Sequence, residues 1–373
     1  MKRFCRLTMC VWVCGVLLTL SSWCSAKPYF PDLPGYKTLV CDLHTHTVFS
    51  DGTVWPTERI EEANREGLDA VALSDHIEHQ PHSKDIPVNH ERPYEIAAPK
   101  ARQLNVLLIK GAEITKDTPP GHYNAILLDK IAPLDQPDVL DAVKAAAEQK
   151  AFVFWNHHTW KGLERGQWQD VQTTMHQNQW LHGMEVANGR TYYPLAHQWC
   201  LDKNLTMIGT SDIHGPSIDS VYTPQQHRTL TLVLAKERTV EAIGEALFAG
   251  RTLVWHDNRL IGRHPLIEAM YQACVTVLPM YYSRGNTGYF EIINRSFLDI
   301  ELNRIGQHGP EHIRIPARSR VDVRTALAEN ERPHILSYAV ANMLTAPETP
   351  LTVDIEIALP EPVELELDEA LTR

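Results

Sequence analysis

The feature that most constrains this chain is a series of six short apolar runs, each closing on polar residues: "TLVCDLHTH", "DAVALSDH", "VLLIKGAE", "AFVFWNHH", "HGMEVANG" and "TMIGTSDIH". Near-continuous hydrophobicity over so few residues suits strands covered on both faces, as in a parallel sheet. Helical patterns fall between them. "PTERIEEANREG" has Pro56 in its first turn and Gly67 as a stop, the usual asymmetry of a helix. "DQPDVLDAVKAAAEQK", "PLAHQWCLDKN" and "TVEAIGEALFAG" continue the alternation. "NAILLDK" (124–130) reads as a further strand or an insertion, and "RTLVWHDN" as the last strand of the unit. The pattern predicts an α/β fold, either a βα-barrel or a doubly wound sheet. Polar groups at the C-terminal ends of so many strands favour the barrel, which gathers its chemistry there.

Beyond about residue 265 the rhythm changes. "GYFEIINRS", "FLDIELN", "HIRIPA", "RVDVRT" and "LTVDIEIALP" alternate apolar and polar residues with period two, which predicts a small antiparallel β-sandwich. "LIEAMYQACVTV" leads into it as a helix or a strand, and the acidic end "PEPVELELDEALTR" is expected to fray. The expected division is a barrel over 27–264 and a β domain over 265–373. This second unit would cover the barrel flank, present a loop to the site, or mediate self-association into a homo-oligomer.

Residues 1–26 read as an export signal. Lys2, Arg3 and Arg6 precede an apolar core from Leu7 to Leu20, and small residues end at Ala26. That core is short for a spanning helix, and the bulky Trp23 argues against lipid attachment at Cys24. Cleavage, a periplasmic or secreted location and no membrane association of the mature chain are expected. Cleavage would leave Cys41, Cys200 and Cys274 of the seven cysteines, too few and too scattered for a disulfide framework or a CxxC zinc site. A net charge of −11 gives a nucleic-acid partner no electrostatic support.

Histidine is the compositional outlier. There are 19, and only His308, His312 and His334 lie beyond residue 264. The strand ends carry His44, His46 and, after a Ser50-Asp51-Gly52 turn, Asp51; then Asp75 and His76, Glu113, His157 and His158, and Asp212 with His214. Alternate residues on a strand point the same way, so His-x-His and Asp-x-His each aim two groups at one spot. Each residue alone has an ordinary reading, such as a surface histidine or a helix cap at "SDH". Together at strand ends they indicate a metal site, because carboxylates packed together without a cation would repel.

"DLHTHTVFSDG", "LSDH", "GAE", "WNHH" and "SDIHG" resemble, in order, the motifs of the PHP (polymerase and histidinol phosphatase) superfamily. The resemblance implies a distorted (β/α)7 TIM-like barrel around up to three metal ions. By motif, His44, His46, Glu113 and Asp212 would hold the first. Glu113 would bridge to a second held with His122 and His157, and Asp51, His76 and His214 would hold the third. His158 stands where the family often has proline, and competes with His157 as the ligand.

A donor set of His and carboxylate suits Mn, Zn or Fe. Metals sharing a bridging hydroxide would hydrolyse a phosphoester, with no protein nucleophile and either Asp212 or a non-ligating histidine moving the proton. Candidate substrate contacts are Arg228, His158 and Asn156, with His79, His82 and Lys84 in the following loop; Glu185 and Asn188 would orient ligands. Export and the β domain resemble the phosphodiesterase branch, so a small organic phosphodiester is the expected substrate. The alternatives are a phosphomonoesterase of the same fold and a non-catalytic periplasmic metal-binding protein. A carbohydrate-binding role for the β domain lacks an aromatic ladder.

Overall fold

A computed structural model of the protein describes residues 30–217, 223, 226–327 and 334–358. The segment read as an export signal and the acidic end lie outside the described residues. The first part runs β1 (Lys37–Asp42), α1 (Pro56–Glu66), β2 (Ala70–Leu73), α2 (Arg92–Leu104), β3 (Leu107–Thr115) and β4 (His122–Ile126). It continues through α3 (Val139–Glu148), β5 (Phe152–Trp155), α4 (Asp170–Gln177), β6 (Gly183–Asn188), β7 (Thr191–Tyr192), α5 (Pro194–Asp202) and β8 (Thr206–Thr210). The last elements of this part are β9 (Leu230–Ala235), α6 (Val240–Phe248), β10 (Thr252–His256) and β11 (Arg259–Gly262).

Burial explains the sequence pattern. Every residue of β2, β5, β6, β8 and β9 is buried, so no polar face is called for. The helices start and stop where local chemistry dictates. Pro56 opens α1, and Gly67, at φ +77°, closes it by donating its N–H to Ala63 and Asn64. Asp138 caps α3 by accepting from the Leu140 N–H, and Thr239 caps α6 by accepting from Ala242.

The barrel is not uniformly parallel. β1, β2 and β3 are parallel, as are β5, β6 and β8, but β4 is inserted antiparallel between β3 and β5. β9 runs antiparallel to both β1 and β10. Side chains close the ring: Thr231 Oγ1 both donates to Gly209 O (2.7 Å) and accepts from Gly209 N (3.0 Å), and Thr252 Oγ1 donates to Met207 O (2.8 Å). Gly209 must be glycine for this approach, since a Cβ there would lie 2.4 Å from Val254 Cγ1.

"RTLVWHDN" is not the last strand of the unit. It is β10, and the chain turns at Asp257 (φ +49°) and Asn258 into β11. Two helices carry no clear signal in the sequence. α2 contains Pro93 and Pro99, and α4 is a short polar segment.

The remainder is α7 (His264–Cys274), β12 (Val275–Val277), β13 (Tyr282–Arg284), β14 (Thr287–Asn294), β15 (Ile300–Arg304) and β16 (His312–Ile315). β17 (Arg320–Ala326), β18 (His334–Ala346) and β19 (Thr349–Ile357) complete it. "LIEAMYQACVTV" is therefore both helix and strand. β14 and β16 alternate buried with less buried residues, the period-two signature of a strand with one covered face. One sheet holds β12, β13, β14 and β17; the other holds β15, β16, β18 and β19.

That second sheet continues the barrel's own. β11 pairs in parallel with β18, with Leu260 opposite Met343 and Ile261 opposite Leu344. One apolar cluster spans both parts, from Val40, Leu232 and Trp255 to Phe290, Tyr338 and Val340. Asn342 staples the junction: its Nδ2 donates to Asn258 O (2.7 Å) and Asp299 O (2.6 Å), and its Oδ1 accepts from Glu301 N (3.1 Å). Asn342→Ala removes the partner of one buried and two partly buried backbone groups and should cost about 2–4 kcal/mol. Calorimetry is expected to show the barrel and the β domain still melting in one transition at a lower temperature; two separated transitions would contradict the shared core.

Candidate metal centre

The rim of the barrel is a belt of backbone hydrogen bonds between successive strand ends. Asp212 N donates to His44 O and His46 N to Ile213 O; Ser74 N donates to Thr45 O, Glu113 N to Asp75 O, and Asn156 N to His122 O, all between 3.0 and 3.1 Å. Asp75, one of the strand-end groups of the sequence pattern, stands outside the donor groups and organises the first loop. Its carboxylate accepts from Thr47 N (2.7 Å), Thr47 Oγ1 (2.8 Å) and Ser50 Oγ (2.7 Å). Gly52 is forced by close packing, because a Cβ would lie 2.8 Å from backbone atoms of His46 and Thr47. Asp212 adopts φ +52°, a region that Asp enters more readily than branched residues.

All nine ligands implied by the motifs come together. They fall into four overlapping groups, in each of which the donor atoms lie within 4.8 Å of one another: His44, His46 and Glu113; His44, His157 and Asp212; His76, Glu113 and His122; and His46, Asp51, His76 and His214. Around the first position, His44 Nε2 lies 2.9 Å from His46 Nε2 and 3.3 Å from both Glu113 Oε2 and Asp212 Oδ1. His46 Nε2 lies 3.4 Å from Glu113 Oε2 and 3.1 Å from Asp212 Oδ1. A tetrahedral site with bonds of about 2.0–2.1 Å has ligand–ligand edges of roughly 3.3 Å, so these spacings fit one divalent ion.

Glu113 divides its two oxygens. Oε2 serves that position, while Oε1 faces His122 Nδ1 (3.0 Å) and His157 Nε2 (3.4 Å). Asp212 is split likewise, with Oδ2 3.7 Å from His157 Nε2. Asp51 Oδ1 is buried without a hydrogen-bond donor. It faces His214 Nε2 (3.2 Å) and His76 Nε2 (3.4 Å). A buried carboxylate oxygen ringed by imidazole nitrogens fits a cation. The His158 alternative is settled geometrically: its Nδ1 meets Gly166 O (2.7 Å), its ring packs on Trp155, Tyr193 and Trp199, and His157 faces the cluster.

Three substrate contacts expected from sequence are displaced. Arg228 is buried and turned away, its Nη1 3.0 Å from Asp42 Oδ2 and its Nε 2.6 Å from Glu66 Oε2; it is an internal ion pair and no phosphate clamp. Asn156 is buried and donates to Glu113 Oε1 (3.0 Å) and Asn124 Oδ1 (2.9 Å), so it positions a ligand. His158 is spent on packing, as above. Of the loop residues, His79 lines the cleft, whereas His82 and Lys84 do not.

Glu185 and Asn188 do support the cluster. Glu185 Oε1 meets His44 Nδ1 (2.8 Å) and Thr210 Oγ1 (2.5 Å), and Oε2 accepts from His157 N (2.6 Å) and Asn188 Nδ2 (2.9 Å). With Nδ1 donating to Glu185, His44 presents Nε2 as an acceptor, the usual way a carboxylate fixes a ligand's tautomer. Arg59, read from sequence only as a helix residue, is fully buried. It donates to the carbonyls of His46 (2.9 Å), Ile213 (3.3 Å), His214 (3.3 Å) and Gly215 (3.1 Å), tying the first strand end to the last.

Electrostatics follow from burial and charge. Burial opposes a proton on His44, but Asp212, Glu113 and Glu185 outweigh it and hold the pKa well above the ordinary value. His76 is pushed up to about 10 against burial by Glu113 and Asp51. His157 and His214 also rise, whereas burial and the charge of His76 bring His46 down to about 4. Burial raises the pKa of Glu113, Asp51 and Asp212, yet the surrounding imidazoles hold all three below the usual carboxylate range.

A cleft of about 540 Å³ opens over the groups, lined by Asp51, His76, His79, His122, His157, Asp212 and His214 with Lys116, Trp160, Lys161 and Tyr193. That size suits a small molecule. Lys116, Trp160 and Lys161 lie in irregular loops and gave no sequence signal beyond residue type.

A PHP domain profile matches residues 42–188, and an Ig-like domain profile matches 275–356. Among solved structures, a two-domain protein from Bacteroides vulgatus, containing a predicted PHP-like metal-dependent phosphoesterase, is 40% identical. It aligns over 89% of this chain and 98% of its own, with a TM-score of 0.85. A protein from Bifidobacterium adolescentis described as a metal-dependent phosphoesterase is 17% identical over 58% of this chain and 97% of its own, with a TM-score of 0.39. An amidohydrolase from Chromobacterium violaceum, with bound sulfate and no metal, is 16% identical over 49% of this chain and 90% of its own, with a TM-score of 0.36. No curated protein matches the chain.

Metal uptake competes with protons for His44, His76, His157 and His214, whose neighbouring carboxylates favour the protonated ring, because only a neutral imidazole nitrogen ligates. Titration with Zn²⁺ or Mn²⁺ near neutral pH should therefore release protons, and affinity should fall as pH falls. Calorimetry in buffers of different ionisation enthalpy reads the release directly. Glu185→Gln should weaken metal binding by about 10- to 100-fold, measured in the same titration.

Proposed function

The chain belongs to the PHP-like metal-dependent phosphoesterases, and we propose that its substrates are small organic phosphodiesters, hydrolysed at a trinuclear centre on the barrel rim. The observation that carries this reading is the sharing of Glu113, whose two oxygens each face a separate set of imidazoles. One carboxylate so placed is suited to spanning two cations. His44, His46, Glu113 and Asp212 would hold the first ion, Glu113, His122 and His157 the second, and Asp51, His76 and His214 the third. The all-nitrogen and oxygen donor set suits Mn, Zn or Fe. When bound, such ions supply Lewis acidity toward the phosphoryl oxygens and activate water at neutral pH.

The chain's own residues do the rest. Asp212, held ionised among imidazoles, is placed between the first two positions to accept a proton from the attacking water. His79 lies outside the four groups, its Nε2 3.9 Å from Asp51 Oδ2, and is exposed at the rim. It is free of ligand duty and positioned to protonate a departing alkoxide. Tyr193 and Trp160 wall the cleft beside these groups. Preference for diesters is supported by the N-terminal pattern read as export and by the second, β-rich domain, which together argue against cytoplasmic biosynthetic substrates.

The protein loaded with Mn²⁺ or Zn²⁺ should hydrolyse bis(p-nitrophenyl) phosphate with a kcat/KM above that for p-nitrophenyl phosphate, and a chelator should abolish both. Equal or faster turnover of the monoester would make it a phosphomonoesterase. Tight metal binding with no ester hydrolysis would make it a metal-binding protein instead.

A further inference from the structure

Trp160 is a large side chain of the cleft wall that takes no part in the proposed ligand sets or proton transfers. It lines the cleft and is 52% exposed, so its ring is open to a ligand entering there. Its ring lies 5.3 Å from that of His122 and 6.1 Å from that of His157, beside the second candidate position. Its Nε1 donates to Thr118 Oγ1 (3.2 Å), which fixes the orientation of the ring.

The cations nearby are already engaged. Lys161 pairs with Asp117 and places Nζ 4.7 Å from the Trp160 ring centroid, and Lys116 pairs with Glu78 at 2.5 Å. Charge at this part of the rim is therefore largely neutralised, and what remains on offer is a fixed, electron-rich aromatic surface. Such surfaces recognise planar π-systems by stacking.

We propose that Trp160 forms a subsite for a planar unsaturated substituent of the phosphoester, an aryl group or a nucleobase, attached to phosphorus through a short linker. The inference rests on the phosphoesterase reading of the cleft. Lys161, packed on the indole, strengthens the subsite by enforcing the ring's position and by cation–π polarisation.

The test is calorimetric titration of the full-length, Mn²⁺-loaded protein with methylphosphonate, benzylphosphonate and the 5′-phosphonate of thymidine. Planar ligands should bind roughly 5- to 150-fold more tightly than methylphosphonate. Trp160→Ala should bring the ratio to near parity, and Trp160→Phe should restore part of it. A gain with benzylphosphonate alone identifies an aryl site; a gain with the thymidine ligand alone identifies a nucleoside site. No planar preference in the parent protein, or an unchanged ratio in Trp160→Ala, overturns the subsite. If the parent hydrolyses p-nitrophenyl esters while showing no such preference, the subsite alone fails. If it hydrolyses neither ester, the phosphoesterase reading fails and the subsite falls with it.

Discussion

The structure turns on one fully buried carboxylate. Glu113 lies within 3.4 Å of imidazole nitrogens from His44, His46, His76, His122 and His157. A buried ionised carboxylate is strongly disfavoured without compensation, and five neutral imidazoles do not provide a full charge. The cluster therefore needs positive charge, as protons or as metal. Nearly every polar choice around the rim follows from keeping those imidazoles aimed inward and their outer nitrogens occupied.

The scaffold meets this demand by binding strand ends to one another before any ligand acts. Asp75 braces the His44–Asp51 loop, Glu185 holds His44 and the backbone of His157, and Arg59 gathers carbonyls from two strand ends. These residues are buried, so their geometry is fixed by packing as well as by hydrogen bonds. A site built in this way is preorganised, with little reorganisation left for the moment of binding.

Much of this was legible because metal ligands at strand ends leave a residue-type signature within short apolar runs. "DLHTH" and "SDIH" stand out through alternation combined with their place at the ends of successive apolar runs. What stayed hidden acts through distant partners. Arg59 reads as an ordinary helix arginine, since nothing local reveals that it faces carbonyls from residues 46 and 213–215. Arg228 precedes an apolar run and was read as facing the substrate, but Asp42 and Glu66, far away in sequence, claim it. Asn156 was placed near the right strand end with the wrong partner. In the fold, β18 escaped because Ile335, Ala339 and Leu344 put apolar residues on its less covered face as well, which blurs the period. α2 escaped because its two prolines read as breakers.

The pairing of β11 with β18 has a consequence for how such a protein can be inherited. The change in hydrophobic period near residue 265 suggests a cassette that could be exchanged, yet the hydrogen-bond ladder crosses that point without interruption. A genetic exchange cutting there would leave one half with a bare strand edge and the other with an unfilled apolar face, both prone to mispairing. The two halves thus share one ladder, and a substitution along their seam bears on the stability of both.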